Sequence, residues 1–307
     1  MKKTLIASAI AATLSVNAFA DDHAAKTAMP TVYGSIELVH LSTDNDALTT
    51  HEFQDNGSTI GISHEHAVSE GLTAFALIDM EFEADDENTS SGLNVVDEAY
   101  IGLRGDFGSV QAGTFDTVYE WVDVLDTSEA VGLGAIFEPN NGDNIQYVSP
   151  VIADGLTLGV TAPVDSDTNF GGALAAKYAV DNLSVALAYT MGREEGGFDA
   201  EDIIGLGVSF SMDELTLLAQ YETQKDTADL FGVMGMYTMG QNVFALGYQM
   251  ISPDFSGAED QSDIYVQALH NLSSNAYIYL EYLMQTDIGG TADADLDTLA
   301  IGATYKF

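Results

Sequence analysis

Cysteine is absent from all 307 residues, and eight lysines and arginines stand against 48 aspartates and glutamates. The first absence rules out disulfides and thiolate metal centres. The second removes the basic footprint by which proteins grip nucleic acid. No nucleophile elbow or phosphate-binding loop occurs in the text. Long apolar runs are missing as well: beyond Ala20 none reaches the roughly 18 residues a spanning helix requires. If such a chain lies in a membrane, it crosses as strands. A disordered acidic polymer is excluded by 14 tyrosines, 14 phenylalanines and a mean hydropathy just above zero. Length alone admits one large domain or two ordinary ones, and a soluble acidic globule stays open at this point.

The start, MKKTLIASAIAATLSVNAFA, has a basic pair (Lys2, Lys3), an apolar stretch and the small-residue ending Ala18-Phe19-Ala20. That is the layout of a secretory signal cleaved after Ala20, too short to span. Three regions follow: a signal at 1–20, a flexible lead at 21–30 and a single domain at 31–307. Removing residues 1–20 takes away two lysines and no acid, so −40 becomes −42.

From Thr31 onward, segments of about ten residues alternate in polarity. Leu183, Val185, Leu187 and Tyr189 interleave with Ser184, Ala186, Ala188 and Thr190; Leu217, Ala219 and Tyr221 with Leu218, Gln220 and Glu222; Ile278, Leu280 and Tyr282 with Tyr277, Tyr279 and Glu281. A period of two puts one set on each face of a strand. Compact turns (Gly105–Gly108, Asp181-Asn182, Met239–Gln241, Asn271–Ser274) take turns with acid-rich connections. The long connections expected are Ser42–Asn56, Ala84–Asn94, Gly192–Ala200, Pro253–Gln261 and Asp287–Leu296. Short turns at one end and long loops at the other are the layout of an outer-membrane barrel. The count is about sixteen strands. In lipid every backbone amide must be paired within the protein, so strands span only as a closed barrel. Sixteen leave an aqueous channel.

Five stretches resemble Gram-negative general diffusion porins: Thr31–Ile36, Ser58–Ser63 with Gly71–Ala74, Ala99–Gly108 running to Gln111–Thr114, Asn144–Pro150, and the terminal Tyr305-Lys306-Phe307. The resemblance implies an all-β, antiparallel transmembrane barrel of about sixteen strands, with the third external loop folded into the lumen. It implies passive diffusion of small hydrophilic solutes and ions, a homotrimer, no cofactor and no enzymatic activity. Expected partners are lipopolysaccharide and outer-membrane lipid. Tyr305 and Phe307 would be read by the barrel-assembly machinery.

The third loop, 115–143, is the longest connection and carries acids without a single base. By the resemblance, Asp126 and Glu129 match constriction carboxylates, accompanied by Asp123, Glu120 and the wall residue Asp79. Family members commonly face this loop with wall arginines; at the matched positions stand Thr59, Thr114 and Gln146. The lumen should therefore be one-sidedly acidic and prefer cations, because rings of carboxylates set the sign of a pore's potential. Such an acidic surface also suits a saline habitat or divalent-bridged lipopolysaccharide.

Other constellations weigh less. His64-Glu65-His66 places two histidines on one strand face, but that face is shared with Ile60 and Ile62, the lipid side. Asp293-Ala294-Asp295-Leu296-Asp297 lacks the Gly and Glu of a calcium loop. A barrel hydrolase using His40 and His51 near the first external loop, or an adhesive barrel, are the remaining alternatives.

Overall fold

The computed structural model describes residues 29–307 apart from 46, 86–94, 138, 140, 165–169, 193, 196–197 and 200. The expected signal, most of the lead, Arg193, and most of the loop expected at Ala84–Asn94 lie outside the described residues.

Sixteen antiparallel strands close on themselves: β1 (Thr31–Asp44), β2 in two pieces (Thr49–Asp55 and Ser58–Ser69), β3 (Leu72–Phe82), β4 (Val95–Gly105), β5 (Gly108–Thr114), β6 (Asn144–Val148), β7 (Leu156–Pro163), β8 (Phe170–Val180), β9 (Leu183–Gly192), β10 (Ile203–Met212), β11 (Leu215–Gln224), β12 (Ala228–Met239), β13 (Asn242–Pro253), β14 (Gln261–Asn271), β15 (Ala276–Thr286) and β16 (Leu296–Lys306). Each pairs with its neighbours in sequence, and β16 returns to β1 from Ser35↔Lys306 to Asp44↔Asp297. Beyond the last strand, Gly34 and Phe307 exchange backbone hydrogen bonds at 3.1 and 3.0 Å and finish the seam. Among the described residues the barrel sheet closes without a free edge, which is the condition for strands in hydrocarbon.

The pieces of β2 both pair with β1, one along its upper half and one along its lower half. Between them Asn56-Gly57 breaks the ladder. The Asp55 carboxylate accepts the Gly57 and Ser58 amides at 2.7 and 3.0 Å and holds the break in shape. The connection expected at Ser42–Asn56 is far shorter than its acids suggested. Thr43 pairs with Thr50 and Asp44 with Thr49, leaving only 45–48 as the turn. A threonine-rich alternating stretch extends as a ribbon, because β-branched side chains suit a pleated surface.

Alternation sorts the faces as expected. Leu187, Leu206, Val233, Leu246, Val266 and Ile301 are exposed on the outside. Their partners Ala186, Gln220, Glu222, Gln249, Gln267, Glu281 and Ala300 are buried on the inside. Phe210, Tyr237 and Phe244 stand exposed near the short turns, where aromatic rings mark a membrane interface.

Candidate functional site

The third loop leaves β5 after Thr114 and rejoins the wall at Asn144. It opens with a single 3-10 turn, Val118–Val122, whose first free amide, that of Tyr119, is capped by the Thr117 hydroxyl. From there it runs through the lumen pressed against the inner face. Its apolar side chains Val118, Tyr119, Val122, Leu125 and Leu133 are fully or almost fully buried. They fit because the wall beneath is bare. A Cβ at Gly159 would stand 2.6 Å from Val118, one at Gly205 2.5 Å from Val122, and one at Gly247 2.6 Å from Leu133; one at Gly232 would collide with Leu125. At Gly207 the obstacle would be the Val122 carbonyl oxygen itself, at 2.5 Å.

A lumenal loop carries unpaired backbone amides, and buried amides need acceptors. The wall supplies them strand by strand. Thr161 Oγ1 accepts the Val118 amide at 3.1 Å and Gln220 Oε1 the Leu125 amide at 3.0 Å. Gln249 Oε1 accepts from Gly134 at 3.1 Å, and Glu222 Oε2 from Ile136 at 3.2 Å. Glu281 takes three amides in a row, from Glu129, Ala130 and Val131, at 2.6, 2.8 and 3.0 Å. It also accepts from Tyr265 Oη and Gln267 Nε2. Asn56, at the β2 break, donates to the Glu129 carbonyl at 2.9 Å.

Of the acids expected at the constriction, two belong to this docking. The Asp123 carboxylate folds back to accept the Ala135 amide at 2.9 Å. Burial pushes its pKa up to about 7, with the neighbouring Asp126 adding to the rise. Glu129 Oε2 accepts from the Tyr277 hydroxyl at 2.6 Å; burial lifts it to about 7, against the pull of that hydrogen bond. Glu120 and Asp126 are half-exposed on the loop, as Asp123 and Glu129 are. Asp79 faces the lumen and accepts from Tyr33 Oη at 3.1 Å.

The three positions read as arginine replacements separate. Thr59 is on the inner face, 3.3 Å from the Ser35 hydroxyl. Gln146 is also inward, but it lies beneath the loop, accepting from Thr161, which itself holds Val118. Thr114 sits opposite Ala99, on the parity of Ile101 and Ala112, and so belongs to the outer face. A strand position one residue off reverses its side, which corrects that assignment. Tyr305 lies outside opposite Ile36, and the Phe307 ring comes close to Gly34. His40 and His51 stack at 5.8 Å on the outer face, away from the lumen. His64 and His66 border an outer groove with Ala74, Ala76, Ile101 and Leu103. Asp287 and Asp295 bind amides of their own loop, and no group of three metal-ligating side chains occurs among the described residues.

The lumen wall thus has two sectors. From β8 to β16 the inner positions along the middle of each strand are buried, covered by the loop. From β1 to β5 the inner residues Tyr33, Glu37, Phe75, Asp79, Glu81, Glu98, Tyr100 and Gln111 are half-exposed, while Ser35 and Val39 of β1 are buried, Val39 in a cluster against which Ala130 and Val131 of the loop pack. Three basic side chains lie on the inner face: Arg104 over Phe75 at 5.7 Å, paired with Glu65, Lys306 over Tyr277 at 5.3 Å, and Lys177, opposite Ala186 and exposed.

A family model described as Gram-negative porin matches residues 7–290. A monosaccharide porin of a Halomonas species is 28% identical, over 84% of this chain and 73% of that one. Porin-like protein H of Photobacterium profundum is 28% identical, with 96% of both chains covered. Among solved structures, an anion-selective porin from Comamonas acidovorans superposes with a TM-score of 0.75 at 17% identity, covering 91% of this chain and 99% of that one. Salmonella typhi OmpF, in complex with daunomycin, gives 0.76 at 18%, covering 91% and 97%. The barrel, its inward loop and the family match lead to one conclusion: this chain belongs to the Gram-negative porin family, a multi-pass β-barrel of the outer membrane that acts as a passive diffusion channel and not as an enzyme.

Proposed function

We propose that the channel prefers cations over anions while passing small hydrophilic solutes down their gradients. The observation carrying this is the charge of the half-exposed lumen lining: Glu37, Asp79, Glu81 and Glu98 on the wall and Glu120, Asp123, Asp126 and Glu129 on the loop, against three inner-face bases, two of them held against rings. A water-filled passage lined by one sign of charge concentrates the opposite ion. The Comamonas porin, described as anion-selective, shares the barrel architecture; on this reading, sign is decided by side chains and not by the fold. The name of the Halomonas relative makes uncharged monosaccharides natural candidates among the solutes.

Reversal potentials across a planar bilayer in a KCl gradient test the reading. Cation preference should be strong at about 0.1 M, where charges act over roughly 10 Å, and fade near 1 M, where they act over about 3 Å. An unselective or anion-selective channel at low salt refutes it.

The assembly belongs to the same proposal. Residues 1–20 direct export, and Tyr305 and Phe307 engage the barrel-assembly machinery. Lipopolysaccharide and lipid surround the barrel. The small side chains Ala74, Ala76 and Ala112 in the outer groove receive a neighbouring copy in a homotrimer. Unheated gel migration showing only monomer in mild detergent would count against the trimer.

A further inference from the structure

We propose that the lumen wall on β1–β4 carries a binding site for small organic cations of the quaternary ammonium class, built by the rings of Tyr33 and Tyr100 with the carboxylates of Asp79 and Glu98. It rests on the cation reading above for the entry of the solute, and on the wall geometry for the site itself.

A half-exposed ring on a water-facing wall leaves apolar surface in water, and such patches mark places where something binds. Across the barrel the inner rings of Tyr265, Tyr277 and Tyr279 are buried. Tyr33 and Tyr100 stay half-exposed. Register brings them together: Tyr33 pairs with Gly61, Gly61 with Asp79, and Asp79 with Glu98. Because Gly61 has no side chain, the Tyr33 ring lies across it, where a Cβ would collide with the ring, and its hydroxyl donates to Asp79 at 3.1 Å. One face of that ring rests on the wall and the other is left to the lumen. Tyr100 follows Glu98 on the same face of β4, opposite Leu77, and is braced edge-on by Phe75 at 6.1 Å and Phe115 at 5.9 Å. Glu98 lies within electrostatic reach of both tyrosines, and Tyr33 within reach of Tyr100.

The barrel uses the same groups twice with bases of its own. Lys306 stands over the Tyr277 ring at 5.3 Å while the Tyr277 hydroxyl donates to Glu129. Arg104 stands over Phe75 at 5.7 Å and pairs with Glu65. In both, a cation meets the negative face of a ring beside a carboxylate. Tyr33 and Asp79 repeat the pairing of Tyr277 with Glu129, yet among the described residues no basic side chain stands over Tyr33 or Tyr100. A cation arriving from solution completes the set. The carboxylates favour positive charge over a neutral solute. The rings favour quaternary ammonium over K⁺, because its alkyl surface sheds little water on meeting a π-face. The site therefore ranks cations of equal charge, which carboxylates at a distance do not.

The test adds tetraethylammonium chloride to channels carrying K⁺ current in a planar bilayer. It compares Tyr33→Leu/Tyr100→Leu with Tyr33→Phe/Tyr100→Phe, both checked for heat-modifiable migration of the folded barrel. Wild-type current should fall saturably with the probe. An exposed ring contributes about threefold in cation affinity, so the leucine pair should raise the half-inhibiting concentration about tenfold. The phenylalanine pair keeps both rings and should stay within about twofold of wild type. Should the leucine pair fail to fold, Tyr100→Leu alone should give about a threefold rise. A wild-type current indifferent to the probe, a leucine pair as sensitive as wild type, or a phenylalanine pair as insensitive as the leucine pair overturns the site. The reversal potential in KCl without the probe judges the cation reading separately. A channel that fails there but shows ring-dependent inhibition keeps the site and loses the reading; one that passes there and ignores the probe loses the site alone.

Discussion

Glu281 receives five donors, three from the loop backbone and two from Tyr265 and Gln267. A carboxylate offers acceptor sites only, while a carboxamide turns half of itself into a donor. In Glu281→Gln at least one loop amide loses its acceptor, at a cost of about 1–3 kcal/mol for each buried donor left unmade. The expected outcome is a barrel of normal heat-modifiable mobility whose open-channel current is noisier and larger. A quiet channel of unchanged conductance would show that the clamp is dispensable. The loop's own acids make its docking depend on pH. Asp123 and Glu129 hold their protons in the docked loop up to about pH 7, whereas an undocked loop would release them in the ordinary carboxylate range. Docking therefore weakens as pH climbs from that range to 7 and is weakest above it. Channel noise should be greater at about pH 8.5 than at about 5.5, and Asp123→Asn/Glu129→Gln should flatten the difference. Thr59 and Thr114 offer a direct test of face. Thr59→Arg places a cation on the inner face and should move the reversal potential toward anions, while Thr114→Arg points outward and should leave it in place or impair insertion.

At the scale of elements, period-two alternation made the strands legible, since lipid outside and water or loop inside impose opposite demands on successive residues. The bounds of the third loop were legible too, as the longest connection between strands; that it turns inward came from the family resemblance. The docking was not. Acceptors for backbone amides leave no spacing in the text: Gln220, Glu222 and Glu281 read as generic lumen polarity until the loop is seen to lie on them. Nor does a glycine in a strand announce which side chain will cover it. Thr114 went astray for a smaller reason, one residue of register at a strand end. Gly207 shows what the loop needs of the wall. Gly207→Ala sets a methyl against the Val122 carbonyl, with backbone on both sides and little room to yield. Overpacking of this kind costs about 1–3 kcal/mol, here charged to loop docking. Raised conductance should follow, whereas Gly235→Ala, on the outer side with Leu217 3.7 Å away, should behave as wild type.

The whole molecule is a tube closed by one seam. Phe307 contributes two backbone hydrogen bonds to that seam and a ring beside Gly34. Deleting it removes about 1 kcal/mol per hydrogen bond together with the ring's cover. The temperature at which the folded gel band disappears should fall, and less barrel should reach the membrane; an unchanged band would make the seam indifferent to its last residue. The lining by loop 3 also has a mechanical side. A tube braced by its loop along β7–β16 and at β1, with β3–β5 left open, should yield unevenly when the bilayer squeezes it, more on the open arc. The outer groove at Ala74, Ala76 and Ala112 runs along the back of that open arc. A neighbouring barrel seated there would act as an external splint, so that the bore of each channel would be steadied on one side by its own loop and on the other by the next copy of the chain.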